Sequence, residues 1–409
     1  MKNIQKNSVL DDIGCKEKWL EFLEYKSEKG HLNEREKKSF EKFIEEKRYV
    51  SIYEQIKDGK FPDEFATKKF VNKSGTKKKR VVYSFSEDVN LALKFIAHYL
   101  YAYDDRFCDN CYAFRKNYGV AQALRKLTGN RKISEMYCYK ADIHDYFNSI
   151  DVKLLLEKLN FVKENDSELF KIFENILQEK HVNFGGHIIT EEHGAMAGIP
   201  IAPFFANIYL QKMDEAFKDR GIIYFRYSDD ILFFAKTHLE LVQYKELFEA
   251  LLKEHKLSVN PSKISEKAPG EKLEFLGFSY ENGNLDLSDN TRRKIKGKIK
   301  RKAEALRRWQ RQKGLEPKKA AVGFINAMNK KFYGYSDEDE FTWERWFFPN
   351  LTVTEGLLEI DHYMQQYIRY CITGRHYKGN YRITYEEMKN LGYKNLVHAY
   401  YDWHEKKKY

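Results

Sequence analysis

Between Phe225 and Phe234 the chain reads FRYSDDILFF, a run apolar and aromatic enough for a buried strand, yet Asp229 and Asp230 stand side by side at its centre. Burying one unpaired carboxylate costs several kcal/mol, and two neighbours repel each other, so no unassisted core contains this pair. Either basic side chains neutralise them, a turn lifts them to solvent, or a divalent cation binds between them. The flanks settle the local geometry. Tyr224–Arg226 and Ile231–Phe234 read as two strands, which puts Ser228 and Asp229 in the turn of a tight hairpin and presents the acids at a sheet edge.

A second acid of this kind ends another strand. MYCYKAD, residues 136–142, is followed by IHDYFNSID and a helix carrying Leu154, Leu155 and Leu159. Three carboxylates, Asp142, Asp229 and Asp230, brought together from two strand ends are able to hold two divalent ions roughly 3.5–4 Å apart, the arrangement that activates an attacking hydroxyl and stabilises a leaving pyrophosphate. Hard oxygen ligands suit magnesium, with substrate phosphates completing its shell.

The remaining chain supports an α+β layer. Helical patterning runs to about Tyr53. KSGTKKKRVVYSFS (73–86) is a basic turn feeding an alternating strand, and EDVNLALKFIAHYLYAY resumes a helical stripe. GAMAGIPIAPFFANIYL has Gly and Pro punctuating a turn before a helix from Phe204. HLELVQYKELFEALLKEHKL is helical, and EFLGFSYENGNLDLS is a hairpin with Asn282-Gly283 at its turn. This order predicts helices on one face of an antiparallel sheet. Beyond Ser288 the composition shifts to Lys- and Arg-rich helices, so the reading places 1–135, 136–284 and 285–409 as three regions, with an insertion at about 152–192 in the second.

A formal charge of +11 over 409 residues points to a polyanionic partner. No apolar run reaches membrane-span length and the N-terminus lacks a signal peptide's apolar core, so the expectation is a cytoplasmic protein without a membrane partner. Five cysteines suit a reducing compartment. Cys108 and Cys111 form a CxxC without a second ligand pair and are read as ordinary thiols. His187 and His193 of HIITEEH fit no zinc pattern and are read as exposed, while Asp145 and Asp151 cap or face solvent. In TRRKIKGKIKRKAEALRRWQRQKG, Ile295, Ile299, Ala303 and Leu306 form an apolar stripe inside a basic surface, with Trp309 assigned to the core.

Taken together, these motifs resemble the reverse transcriptases. YSDD (227–230) resembles their Tyr-x-Asp-Asp motif, DIHDYFNSI (142–150) the first acidic motif, and GIPIAPFFAN (198–207) the nucleotide-pocket loop and helix. YAFRKNYGVAQAL (112–124) is similar to the bacterial Phe-Arg motif, LSVNPSKI to the lysine-bearing motif, and EFLGF to the primer-gripping hairpin. The resemblance implies a right-hand polymerase: fingers and a palm with an antiparallel sheet, then an α-helical thumb. It implies Asp142, with Ile143 beside it, Asp229 and Asp230 as ligands of two Mg²⁺ ions, and Lys263 as the lysine that protonates pyrophosphate. Phe147 falls where a bulky ring excludes the 2′-hydroxyl. Arg80, Arg115, Pro200 and Asn207 fall at the nucleotide, and Lys77, Lys78, Lys79, Leu276, Gly277, Lys296, Lys300, Arg307 and Arg308 along the nucleic acid. Ile201 stands where the family usually has Gln, a departure that touches the template-base contacts.

The implied partners are a structured noncoding RNA template, dNTPs and a cDNA product. Among reverse transcriptases the chain looks most like the bacterial defence-associated groups, with retron enzymes next; an Asn-Ala-x-x-His retron element is not apparent. Two rivals stand beside this reading, an RNA-dependent RNA polymerase, which Phe147 disfavours, and a noncatalytic RNA-binding scaffold, which the three acids disfavour.

Overall fold

The computed structural model describes residues 8–28, 32–72, 79–334 and 342–406. Lys77 and Lys78 lie outside the described residues. The chain divides into two compact units, residues 1–123 with 135–269, and residues 124–134 with 270–409.

The first unit opens with helices that bury one aromatic cluster. Asn33 and Glu36 form a reciprocal capping box that fixes the start of the helix Glu34–Glu45. That helix turns Phe40 and Phe43 onto Trp19, whose indole Nε1 donates to the Ile13 carbonyl at 2.8 Å. Phe95, from the helix Glu87–Tyr99, completes the cluster 4.5 Å from Trp19.

Two sheets follow. Strands β1 (Ala66–Asn72), β2 (Lys79–Ser84), β4 (His181–Phe184) and β5 (His187–Thr190) assemble in the order β2-β1-β4-β5. The β1–β4 pair is parallel, so this sheet is not wholly antiparallel as expected. Neither β1 nor the β4–β5 hairpin was legible in the apolar pattern, although Gly185 and Gly186, both at positive φ, are the turn signal that marks the hairpin. His193, expected to be exposed, is buried at 2% exposure, with its ring nitrogens against the carbonyls of Glu179 and Gly194.

The second sheet contains β3 (Tyr137–Asp142), β6 (Ile223–Tyr227), β7 (Asp230–Ala235) and β8 (Ser265–Lys267), in the antiparallel order β6-β7-β3-β8. Alternation sorts its side chains. Tyr139, Tyr224 and Phe233 face the helices, where Phe217 and Phe248 close an aromatic core with centroids 4.4–6.0 Å apart. The helix His238–Glu254 that brings Phe248 starts at a Thr237–Glu240 capping box.

In the second unit, β9 (Leu273–Phe275), β10 (Phe278–Glu281) and β11 (Asn284–Leu287) form an antiparallel sheet. Asn282 and Gly283 both take positive φ in its hairpin, as their sequence predicts. Composition changes at 285, inside β11, but packing changes at 270. The reason is that this sheet bonds to the helical segment that follows: Thr352 N donates to the Leu285 carbonyl at 3.0 Å and Gly356 N to Asp286 Oδ2 at 3.0 Å. The basic helix Asp289–Gln312 buries Ile295, Ile299 and Ala303 and leaves Leu306 half-buried. Trp309, assigned to the core by sequence, is 41% exposed because it lies off that stripe. No helix among the described residues is long and apolar enough to cross a membrane.

Candidate active site

The turn between β6 and β7 consists of Ser228, at φ +62, and Asp229. Asp142 at the end of β3 stands directly opposite Asp230 in the register, and Ile143 N donates to the Asp229 carbonyl at 3.0 Å. Asp142, Asp229 and Asp230 thus meet at one end of the sheet through backbone pairing, with no cooperation needed from their side chains. The segment after the helix His238–Glu254 runs alongside: His144 N donates to the Ser258 carbonyl and Asn260 N to the Asp142 carbonyl, at 2.9 and 2.8 Å. This strapping delivers Lys263, whose Nζ lies 2.5 Å from Asp142 Oδ2.

What neutralises the acids is lysine. Residues two apart on a strand share a face, so Lys140 projects beside Asp142 and diagonally to Asp230, with Nζ 3.3 Å from Asp230 Oδ1. Burial pushes the Asp230 carboxyl up to about 6; Lys140 opposes that shift, while Asp229 and Asp142 add to it. Asp230 Oδ1 is buried without a well-directed hydrogen bond. Among the described residues no three His, Cys, Asp or Glu side chains converge as a ready metal cage. The donors are nonetheless all carboxylate oxygens and one of them is buried and under-satisfied, so the residues fit a hard divalent cation.

Behind the turn, on the opposite face of β6, lies a group that sequence reasoning missed. Arg226 is fully buried and grips Asp214 with two bonds, Nε to Oδ1 at 2.7 Å and Nη2 to Oδ2 at 2.5 Å. It also donates to Asn207 Oδ1 at 3.2 Å, to Cys111 Sγ at 3.1 Å and, at 3.5 Å, to the carbonyl of Ser228 in the turn itself. Burial pushes the Asp214 carboxyl up and Arg226 pulls it back; both carboxylate oxygens accept from the guanidinium, the geometry of an ion pair. The strand's alternation was the available signal: Arg226 neighbours Tyr227, which pairs with Asp230, so Arg226 falls on the face opposite to both and turns into the core.

The structure places two of the residues expected at the nucleotide, Asn207 and Arg115, in buried networks. Asn207, 1% exposed, donates to the Ala113 carbonyl at 2.8 Å and accepts from Arg226, so its amide belongs to this buried network. Arg115 is buried too, bonding to Asp104, to the Cys108 carbonyl at 2.7 Å and to the Cys111 carbonyl at 3.0 Å, with its guanidinium 3.8 Å from the Tyr118 ring centroid. It folds the 104–118 loop and presents no charge to a nucleotide. Its neighbour Phe114, which the motif reading passed over, is 45% exposed and lies 6.3 and 6.4 Å from the rings of Phe147 and Tyr227. Cys108 and Cys111 are free thiols raised by burial.

Phe147 is half-buried in the short helix Tyr146–Ser149. Ala195 N donates to the Phe147 carbonyl at 2.8 Å, and Gly194, at φ +56, passes so close that a Cβ there would lie 2.7 Å from the Asn148 carbonyl and collide with that of Phe147. The same loop then reaches β2, where Tyr83 N donates to the Ala197 carbonyl at 2.8 Å. Pro200 is half-buried and Ile201 buried at its end. Lys79 and Arg80 are exposed on β2, and Asp151 caps a helix and pairs with Lys256, as read. In the second unit Leu276 and Gly277 form a positive-φ turn. Lys296 pairs with Glu359, and Arg307 donates to Gln310 and to the Cys371 carbonyl, so these two serve the helical packing, whereas Lys300 and Arg308 are exposed.

Residues 71–280, more than half of the chain, match the family described as reverse transcriptase (RNA-dependent DNA polymerase). The chain belongs to the reverse transcriptase family. The matched domain is that of a nucleotidyltransferase, and it contains all three acids. No curated protein matches the sequence. Similar solved structures include telomerase from Candida albicans with a TWJ fragment of telomeric RNA (12% identity, TM-score 0.44, 85% of this chain and 68% of that one). Apo telomerase from Candida Tropicalis also matches (11%, 0.48, 77% and 59%), as does its C-terminally truncated form (12%, 0.42, 55% of each). The chain thus spans little more than half the length of the truncated telomerase.

Proposed function

We propose that this reverse transcriptase domain synthesises cDNA on an RNA template, and that Asp142, Asp229 and Asp230 carry the reaction. The observation that carries this reading is the register of β3 against β7, which sets Asp142 opposite Asp230 and ties Ile143 to Asp229. Asp142 and Asp229, with the backbone at Ile143, would hold two Mg²⁺ ions and Asp230 would assist on the triphosphate side; bound there, such ions activate a primer hydroxyl and stabilise the pyrophosphate. The chain's own residues supply the rest. Lys140 and Lys263 balance the acids when no cation is bound. Lys263, about half exposed, keeps an ammonium proton at the rim for the departing pyrophosphate. Phe147 and Phe114 wall the space where the incoming sugar sits, and Lys79 and Arg80 offer charge to phosphates.

The finer reading is a bacterial, cytoplasmic, defence-associated enzyme copying a structured noncoding RNA, supported by the order of its motifs and by the basic helical region that follows them; a retron enzyme is the second choice. The test is primer extension by the purified chain on an RNA template with dNTPs and Mg²⁺, together with sequencing of RNA and cDNA recovered from cells. Extension that vanishes in Asp229→Ala supports the proposal. A wild-type chain that never extends a primer, or an Asp229→Ala chain that extends one normally, overturns it.

A further inference from the structure

The loop after the long helix Glu355–Thr373 lies outside the matched polymerase domain, and its composition is unusual. From Thr373 to Tyr385, TGRHYKGNYRITY, there are three cations, one histidine and three tyrosines, and no acid. Some basic side chains of this unit are tied to carboxylates, as Arg292 and Lys296 are to Glu359. Arg375, Lys378 and Arg382 are exposed, and no ion pair among the described residues uses them.

The loop is also built to hold its shape. Asn380 is 6% exposed; its Nδ2 donates to the Arg375 carbonyl at 2.7 Å and its backbone N to the Tyr377 carbonyl at 3.1 Å. Thr373 and Arg369 fasten the two ends, through the Arg375 carbonyl at 3.0 Å and the Ile383 carbonyl at 3.1 Å. The loop so held carries exposed aromatic rings. Tyr377 lies over Gly379 so closely that a Cβ there would be 2.5 Å from its ring, and the residue is 45% exposed. Tyr381 is 70% exposed, with the Arg369 guanidinium 5.1 Å from its centroid. His376 stacks on Tyr370 at 4.8 Å and 8°. At the start of the loop, Arg307 and Arg311 crowd Gly374.

Exposed planar rings set among cations that enter no ion pair among the described residues match the chemistry of unpaired nucleotides, whose bases stack on aromatic faces while their phosphates meet Lys and Arg; the acids that follow, Glu386 and Glu387, are engaged with Lys389 and Thr384. A duplex hides its base faces, so stacking rings favour an unpaired strand. We propose that Arg375–Arg382 is a docking site for an unpaired stretch of RNA, distinct from the polymerase site and able to retain the RNA that the enzyme copies. The RNA assignment, as opposed to single-stranded DNA, rests on the proposed function; the stacking chemistry does not.

The test uses the full chain and fluorescence anisotropy with three labelled probes of one sequence: single-stranded RNA, single-stranded DNA and duplex RNA. The double substitution Tyr377→Ala, Tyr381→Ala is expected to weaken single-stranded RNA binding about tenfold or more, since two stacking faces are lost, while the Tyr→Phe pair binds within about twofold of the parent. Arg375→Glu with Lys378→Glu should flatten the salt dependence. Ultraviolet crosslinking of the unmodified chain should map to residues 376–381. Unchanged affinity in the Ala pair, equal loss in the Phe pair, preference for duplex, or crosslinks confined elsewhere would each overturn the proposal, and preference for DNA would overturn the RNA assignment. Asp229→Ala keeps the two readings apart, because it should abolish extension and leave this binding intact.

Discussion

Arg226→Met is the substitution whose consequence the structure fixes most tightly. It leaves Asp214, fully buried, with the Tyr224 hydroxyl at 3.2 Å as its remaining side-chain donor. Removing one partner of a buried ion pair costs about 3–5 kcal/mol, because the other charge stays behind uncompensated. For a unit of this size each kcal/mol lowers the melting temperature by roughly 2–4 °C, so a fall of about 6–20 °C is expected. The double variant Arg226→Met, Asp214→Leu removes both charges, and exchanging a buried pair for apolar groups is often close to neutral. Recovery will be incomplete, since Asn207 Oδ1 and the Ser228 carbonyl also lose a donor, at about 1 kcal/mol each. Urea unfolding of the parent, both singles and the double gives the cycle directly. Because Arg226 braces the turn that carries Asp229, kcat for primer extension should fall in the double variant even where stability returns. A single variant within about 1 kcal/mol of the parent, or a double no more stable than Arg226→Met, would refute the reasoning.

Three further outcomes follow from the same geometry. Phe147→Val should admit ribonucleotides in primer extension, and unchanged sugar selectivity would remove Phe147 from the gate. Gly194→Ala forces a side chain against the Phe147 and Asn148 carbonyls at a left-handed φ, so it should destabilise the chain by about 1–3 kcal/mol or more in urea, whereas Gly185→Ala, which meets no atoms within 4 Å, should bear only its own φ cost. His255 is buried with Nδ1 against the Leu251 carbonyl at 2.6 Å and Nε2 3.2 Å from Lys158 Nζ, and burial holds its ring below the ordinary value, with Lys158 adding to that. The unfolded chain therefore binds a proton there first as pH drops below about 6.5, and stability should fall over that window; His255→Gln should flatten the fall in pH-dependent melting curves.

The sequence was most informative where a feature is local. Asn282-Gly283 and Ser228-Asp229 announced their turns, alternation announced β2, and apolar, aromatic runs beside an acid announced β3, β6 and β7, because turn chemistry and strand propensity act over a few residues. The Asn33–Glu36 and Thr237–Glu240 caps are equally local. Adjacent acids in an apolar hairpin required a neutralising partner, and composition named the class of that partner without choosing it. Tertiary structure made the choice. Lys140 meets Asp230 across ninety residues of chain and Lys263 meets Asp142 from farther still, contacts that exist only because β3, β7 and the Ser258–Lys263 strap are paired. Folding likewise buried Arg115 and Asn207, since a basic or amide side chain in a motif gives no sign of whether its face of the backbone points to solvent or to Asp104 and Arg226. Propensity and parity are carried by neighbours along the chain, whereas burial and charge pairing depend on which distant segment arrives opposite, and that is known only once the sheet has closed.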